Sequence, residues 1–135
     1  FIKNWGLCPH PSLMTLYRQE IIERFRFPRH RGVLKNSHAH AEKANMFCGD
    51  EIALYLRLDE KKERVAEARF DGQGCALMTA SADILCEAVQ GKTPDALRKF
   101  TADDLLRMYG EAPSPARLKC VLLPYEALKS ATSLL

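Results

Sequence analysis

The clearest pattern in the chain is a regular alternation of apolar and polar residues over 51–59. The apolar side chains that share one face are Ile52, Leu54, Leu56 and Leu58. An alternation with a period of two predicts a half-buried strand. After a charged turn at 60–63, residues 64–71 alternate in the same way. Their predicted inward-facing residues are Ala66, Ala68 and Phe70. Two such strands predict an antiparallel hairpin, and a short edge strand is expected over 41–47.

Apolar residues at helical spacing predict helices on both sides of this hairpin. A first amphipathic helix is expected from Thr15 until Pro28 ends it. Its predicted apolar face carries Tyr17, Ile21, Ile22 and Phe25, and its polar side carries Arg18, Gln19, Glu23 and Arg24. A second helix follows the glycine-rich turn at 71–76 and is expected to end with Gly91 as its C-cap. The residues predicted to line its inner face are Leu77, Ser81, Ile84, Leu85 and Ala88.

Three further helices are predicted in the remaining chain. Two are short, over 94–99 and 102–109, and Thr93 and Thr101 are suitable N-cap residues for them. The last helix is expected to start close to Cys120, because Pro124 is best tolerated in a first turn. The whole pattern therefore predicts three strands and about five helices.

Length and charge limit the kinds of protein that this chain can be. Its 135 residues suffice for one modest core, and its net charge of +3 comes from scattered basic residues, so nucleic acid is not an expected partner. No apolar run approaches the ~20 residues that span a bilayer, and no signal-peptide pattern opens the chain. We therefore expect no membrane association and a cytoplasmic location. Because Met14 can serve as an initiator, residues 1–13 are predicted to be an N-terminal extension or an expression remnant, and 14–135 to form the domain.

Five cysteines are spread widely along the chain. An odd number at long spacings argues against a disulfide scaffold and favours metal binding or catalysis in a reducing compartment. Cys8 precedes the predicted domain, and Cys86 lies inside an apolar helical pattern typical of an ordinary buried cysteine. We assign neither to a site.

The other three cysteines lie at points that the predicted fold brings together. Cys48 and Asp50 are two residues apart, so they point the same way on extended backbone. The hairpin brings Asp50 close to Cys75. Cys75 and Cys120 each lie near a predicted helix N-terminus, where the helix dipole favours the thiolate. We hypothesise that these four residues converge on one metal or cluster site; the alternative is that the cysteines are core residues.

Three thiolates and one carboxylate suit either tetrahedral zinc or an iron–sulfur cluster. Arg117 and Lys119 would offset the excess negative charge of such a site. A carboxylate is a harder ligand than a thiolate, which makes Asp50 the natural exchangeable ligand. Two other polar groups are assigned to the surface: His38 with His40, and the basic turn at 29–31.

The motifs around these cysteines resemble those of iron–sulfur cluster assembly scaffolds, the family that includes IscU, SufU and the NifU N-terminal domain. The match covers roughly residues 15–133 and rests on an ordered set of short motifs. They are the turn over 27–32 (FPRHRG), Cys48-Gly49-Asp50, Gly72-Gln73-Gly74-Cys75-Ala76, the small residues over 79–81, Gly91-Lys92-Thr93 and Arg117-Leu118-Lys119-Cys120.

The resemblance implies an α+β fold in which a small antiparallel three-stranded sheet packs against about five helices. It implies a transient [2Fe–2S] cluster assembled at Cys48, Asp50, Cys75 and Cys120 with sulfur from a cysteine desulfurase. It also implies that Zn²⁺ can occupy the same ligands. Apo iron–sulfur proteins are the expected acceptors, and a monomer or weak homo-oligomer is the expected assembly.

Two subfamilies remain open at this point. Lys119 before the last cysteine is similar to SufU-like members, whereas the short interval between Cys75 and Cys120 is closer to the IscU-type length. The first hypothesis is a scaffold without turnover of its own. The alternative is a zinc-dependent sulfurtransferase of the SufU type in which Cys48 accepts a persulfide. A structural zinc module is the third possibility.

Overall fold

The described part of the chain forms three strands and five helices in a computed structural model. That part comprises residues 11–46, 49–110 and 113–135, with the backbone alone over 11–18. In chain order the elements are α1 (Pro11–Arg26), β1 (Ala39–Asn45), β2 (Asp50–Leu58), β3 (Val65–Gln73), α2 (Ala76–Val89), α3 (Pro94–Lys99), α4 (Ala102–Tyr109) and α5 (Pro115–Thr132). The predicted α+β class, with a three-stranded antiparallel sheet and five helices, is confirmed.

The sheet has the strand order β1-β2-β3, and both neighbouring pairs run antiparallel. Alternate residues of β2 are buried, as the sequence pattern predicts. In β3, Ala68 and Phe70 face the core as predicted, but Ala66 is exposed and Val65 is buried in its place. The prediction for Ala66 is wrong because a register shift at the end of β2 pairs Leu58 with Val65, which reverses the facing of the first residues of β3.

Helices α2 and α5 lie against the sheet, with α5 on β1 and β2 and α2 on β3. Helix α2 is buried around nearly its whole circumference between Met78 and Cys86, rather than along the single predicted face. The reason is that α1, α4 and α5 contact it on its other sides. The hydroxyl of Ser81 donates a hydrogen bond to the carbonyl of Val121 at 2.6 Å, which satisfies a buried polar group and connects α2 to α5.

Helix α1 packs on α2, and its bounds and burial differ from the amphipathic prediction. It begins at Pro11 rather than at Thr15. Ile21 is buried as predicted, but Ile22 and Phe25 are about half exposed. The division of the chain into an extension at 1–13 and a domain at 14–135 stays a prediction.

The buried face of α1 also carries a charged residue that the sequence pattern assigns to the polar side. The side chain of Arg24 is 5% exposed, and its Nη1 lies 2.9 Å from Oδ2 of the fully buried Asp83 on α2. Its remaining nitrogens bond Glu20 and Glu87, each at 2.8 Å. Burial alone would lower the pKa of Arg24, but the three carboxylates outweigh it and raise that pKa above its ordinary value. The prediction of a solvated Arg24 is therefore wrong, because α2 supplies its partners.

The short helices follow the predicted capping. The side chain of Thr93 accepts a hydrogen bond from the amide of Ala96 and caps α3, and Thr101 forms a capping box with Asp104 at the start of α4. The predicted C-cap of α2 is displaced by one residue: Gln90 is the cap, in extended conformation.

The last helix departs most from its predicted start. Helix α5 begins at Pro115, a favoured residue at a first helical position, and not close to Cys120. Pro124 consequently lies in the helix interior, where it has no N–H to donate to the carbonyl of Cys120 one turn earlier. Within the residues described, no helix combines the length and apolar character needed to cross a membrane.

Candidate metal centre

Asp50 is the first donor of the candidate site, and it opens strand β2. Gly49 before it has φ +75°, the left-handed region that favours glycine, and it leads the chain into the strand. In the sheet, Asp50 pairs with Asn45 at the end of β1. The side chain of Asp50 lies on the buried face of β2 and is only 4% exposed. A buried carboxylate requires hydrogen-bond donors or a cation.

The turn that carries Cys75 is built from two glycines with different roles. Gly72 has φ +137°, and a Cβ there would lie 2.2 Å from the carbonyl oxygen of Glu51. At Gly74, a Cβ would lie 2.3 Å from Cε of Met78 and 3.4 Å from Oδ1 of Asp50. Gly72 therefore requires glycine, because the obstacle is backbone, whereas at Gly74 a Cβ would mainly displace the flexible end of Met78.

Cys75 is the N-cap residue of α2, with extended backbone angles and an exposed side chain. Its backbone amide donates a hydrogen bond to Oδ1 of Asp50 at 3.2 Å. Its Sγ lies 3.6 Å from Oδ2 of the same carboxylate. Cys75 therefore lies at a helix N-terminus, as predicted, next to the N–H groups of the first turn of α2.

Cys120 reaches the same point from α5 and is 8% exposed. One donor atom from each of Asp50, Cys75 and Cys120 lies within 4.8 Å of the others. The helix-dipole argument for Cys120 is wrong, because α5 begins at Pro115 and Cys120 lies in its second turn.

The spacing and chemistry of these donors fit a thiophilic metal. In a tetrahedral zinc site with Zn–S bonds near 2.3 Å, two sulfurs lie about 3.8 Å apart, so small side-chain movements suffice here. Two thiols and one carboxylate also leave a fourth ligand position open. The predicted fourth ligand, Cys48, lies outside the described residues. The two predicted supporting residues are both exposed on α5, Arg117 in its first turn and Lys119 in its second.

Neither Cys86 nor the two histidines belong to the donor group that the described part of the chain brings together, and Cys8 lies outside the described residues. Cys86 is fully buried in α2, and burial, with a smaller contribution from Asp83, raises the pKa of its thiol well above the ordinary value. His38 and His40 are exposed, as predicted. Nδ1 of His38 accepts a hydrogen bond from the amide of Leu58 at 3.0 Å, and the ring of His40 stacks on another aromatic ring at 4.8 Å.

Sequence reasoning missed one residue next to the site. Arg31 is exposed, as predicted, but its Nη2 also donates a hydrogen bond to the carbonyl of Gly72 at 2.5 Å. The two residues are 41 positions apart, so no local pattern could reveal the contact.

The fold and the three donors define a class: a small α+β protein with a metal-binding site of thiols and a carboxylate. The chain belongs to the family of the NifU-like N terminal domain, whose model matches residues 16–134. This confirms the resemblance seen in the motifs.

Individual relatives agree with the family. The chain is 33% identical to the zinc-dependent sulfurtransferase SufU of Bacillus subtilis (strain 168), over 90% of this chain and 92% of that protein. It is 28% identical to the iron–sulfur cluster assembly scaffold protein IscU of Thermotoga maritima, over 86% of this chain and 92% of that one. It is also similar to the crystal structure of FiSufU from Fervidobacterium islandicum AW-1, with a TM-score of 0.72 and 28% identity, over 87% of this chain and 97% of that chain.

Proposed function

We propose that this protein is a scaffold that assembles a [2Fe–2S] cluster at Cys48, Asp50, Cys75 and Cys120 and transfers it to acceptor proteins. The observation that carries the proposal is the meeting of three donor atoms, from three separate elements, within 4.8 Å. Thiolates are the usual ligands of iron–sulfur clusters. A site with one carboxylate among thiolates suits a cluster that must leave again, since the carboxylate is the weaker ligand for iron–sulfur chemistry.

Each described donor has a distinct part in this proposal. Cys75 is exposed at the N-terminus of α2, where iron and sulfur can reach it. Cys120 is buried on α5 and contributes a thiol held in place by the packing of that helix. Asp50 orients the turn through the amide of Cys75 and is the ligand that exchanges on release.

The proposed partners follow from the chemistry of assembly and transfer. Sulfur comes from a cysteine desulfurase, and apo iron–sulfur proteins receive the cluster. Arg117 and Lys119 offset part of the negative charge that the cluster and its ligands would carry. We place the activity in the cytoplasm, because a site built on cysteine thiols such as that of Cys75 needs a compartment that keeps them reduced.

Cluster transfer tests the scaffold proposal. The protein is loaded with a [2Fe–2S] cluster and mixed with an apo-ferredoxin, and circular dichroism in the visible range follows the cluster. The scaffold proposal is supported if the ferredoxin acquires its cluster faster from the loaded protein than from free iron and sulfide. A cluster that stays bound, or that forms equally fast without the protein, contradicts it.

The second candidate is a zinc-dependent sulfurtransferase. Two observations favour it: the 33% identity to SufU, and a lysine, Lys119, directly before Cys120. In this proposal the thiolate of Cys48 attacks the outer sulfur of the desulfurase persulfide. A new S–S bond forms on Cys48, the donor's S–S bond breaks, and the donor cysteine leaves as thiolate. Zn²⁺ would be held by the same ligands and would keep their thiolates from reacting before the donor docks.

Mass spectrometry distinguishes the two candidates. The zinc-loaded protein is incubated with a cysteine desulfurase and cysteine, and its intact mass is measured without reductant. A gain of one sulfur atom that Cys48→Ser abolishes supports sulfur transfer. An unchanged mass, in a protein that accepts a cluster, excludes it.

A further inference from the structure

The basic turn at 29–32 supplies none of the described donors of the metal centre, yet it makes several contacts close to it. It runs along the outer edge of β3 and pairs with a single residue of that strand. The amide of Phe70 donates to the carbonyl of His30 at 3.0 Å, and the amide of Gly32 donates to the carbonyl of Phe70 at 2.8 Å. These bonds form a parallel bridge between Arg31 and Phe70. The turn is therefore fixed to the sheet next to the point where β3 bends toward Cys75.

The side chain of Arg31 extends from this bridge to the bend itself. Its Nη2 donates to the carbonyl of Gly72 at 2.5 Å, and its Nε lies 3.6 Å from Oδ1 of Asp71. The contact with Asp71 contributes little, because both side chains are about half exposed. The charged hydrogen bond to the carbonyl is the stronger of the two interactions.

Two contacts restrict the backbone at Gly72. Its α-carbon faces the carbonyl of Glu51 so closely that a Cβ would lie 2.2 Å from that oxygen, and its own carbonyl is held by Arg31. Glu51 follows Asp50 directly along β2. The same stretch of backbone thus sets the position of Asp50 on one strand and of Cys75, three residues beyond Gly72, on the other.

The turn is also anchored on its far side. The amide of His30 donates to Oδ1 of the buried Asp83 at 2.8 Å, and Oδ2 of Asp83 is bound by Arg24. A hydrogen bond from a flexible loop would not fix the position of Gly72. Here hydrogen bonds hold the loop to α2 through His30 and to β3 through the bridge at Arg31. The backbone that carries the guanidinium is therefore fixed.

We infer that Arg31 is a positioning residue for the metal centre: by holding the carbonyl of Gly72 it fixes the turn that sets Cys75 against Asp50. The inference rests on the metal-binding part of the proposed function. Arg31 itself donates no ligand, so its effect reaches the metal only through the geometry of Cys75. Hydrogen bonds made directly to a ligand typically change metal affinity by about 10- to 100-fold, so this less direct contact is expected at the lower end of that range.

The test uses the full chain with Zn²⁺ and Co²⁺ as probes. Arg31→Ala and Arg31→Lys are compared with Arg29→Ala, a matched control that removes the same charge from the same turn. Zn²⁺ affinity is measured by competition with a chelator, and the thiolate-to-Co²⁺ absorption bands report ligand geometry. Urea unfolding of the metal-free proteins measures stability separately.

We expect Arg31→Ala to weaken Zn²⁺ binding about 10-fold and to shift the Co²⁺ bands. Arg31→Lys should recover part of the affinity, since an ammonium group can donate to the same carbonyl. Arg29→Ala should change the affinity by less than about twofold, as expected for an exposed charge.

Three results would overturn the inference. One is an unchanged Zn²⁺ affinity and Co²⁺ spectrum in Arg31→Ala, even if its urea midpoint falls, since Arg31 would then be structural only. Another is an equal loss in Arg29→Ala, which would indicate loop charge alone. The third is a wild-type protein that binds Zn²⁺ no better than Cys75→Ser. That result overturns the metal centre itself and is recognised in the wild type, before any Arg31 variant is compared.

Discussion

The carboxylate of Asp50 contacts Cys75 twice: Oδ1 accepts the backbone amide of Cys75 at 3.2 Å, and Oδ2 lies 3.6 Å from its Sγ. The two contacts place the carboxylate and the sulfur side by side at the start of α2. One metal ion could therefore contact donor atoms of both residues together with that of Cys120.

The first prediction concerns the exchange role of Asp50. Asp50→Asn keeps an oxygen that can accept the amide of Cys75 but removes the charge, whereas Asp50→Ala removes both. We expect both variants to release bound metal or cluster more slowly, because a site without the exchangeable carboxylate opens less readily. Release into excess chelator, followed by stopped-flow absorption, measures the rate.

Stability separates the two Asp50 variants. Asp50→Ala should lower the free energy of unfolding of the metal-free protein by about 1 kcal/mol, since the amide of Cys75 loses its acceptor, and Asp50→Asn should lower it less. Release at the wild-type rate in both variants would remove Asp50 as the exchange ligand.

The second prediction concerns Cys75. Cys75→Ser should reduce bound Zn²⁺ and lower the thermal midpoint of the metal-loaded protein, because metal binding contributes to folding. The metal-free midpoint should hardly change, since the residue is exposed. Elemental analysis and thermal unfolding with and without chelator provide both measurements.

Cys86→Ala is the control for loss of a cysteine. Its side chain is fully buried among the core residues of α2, so the variant should be less stable by about 1 kcal/mol yet bind the same amount of metal. Full metal retention in Cys75→Ser, or loss of metal in Cys86→Ala, would mean that the ligand set is wrongly assigned.

The third prediction concerns the buried ion pair between α1 and α2. Asp83→Ala leaves Arg24 buried without its fully buried carboxylate partner on α2, and removal of one partner of a buried pair costs about 3–5 kcal/mol. Urea unfolding should show this loss. Asp95→Ala, which breaks the exposed pair with Arg98, is the control and should change stability little. Equal effects of the two substitutions would show that the buried pair does not hold α1.

The fourth prediction concerns pH. Burial lowers the pKa of His30 below its ordinary value. Asp83 and Glu87 act in the opposite direction, and Arg24 and Arg69 reinforce the effect of burial. The folded protein therefore binds this proton less readily than the unfolded chain does.

The sign of the stability change follows from that difference. As the pH falls below about 6.5, the unfolded chain takes up the proton first, so the free energy of unfolding should decrease until the folded-state pKa is passed. His30→Gln should lack this part of the loss. Urea unfolding of the metal-free proteins between about pH 7.5 and 5 measures both slopes. Parallel curves would show that His30 does not contribute.

The structural features that depend on local sequence patterns could be predicted from the sequence. The alternation around Leu54, the capping by Thr93 and Thr101, and the glycine turn before Cys75 each depend on residues close together in the chain, and the structure has them as expected. The meeting of Asp50 with Cys75 was also predictable, because a single antiparallel hairpin joins them.

The features that were missed depend on contacts distant in sequence. Burial of Arg24 requires Asp83, 59 residues away, and the bond from Arg31 requires Gly72. A helical wheel cannot show which face of α1 meets a carboxylate on another helix. The start of α5 was misplaced because an interior proline was taken as a first-turn residue, whereas packing against the sheet outweighs the one backbone bond that Pro124 removes.

The most direct test of the account is anaerobic reconstitution of the metal-free protein with a cysteine desulfurase, cysteine and ferrous iron, followed by visible absorption. The account predicts a stable [2Fe–2S] spectrum in the wild type that is lost in Cys75→Ser and Cys120→Ser and kept in Cys86→Ala. Absence of any cluster in the wild type, together with tightly bound Zn²⁺ and a persulfide on one cysteine, would contradict the scaffold and establish sulfur transfer instead.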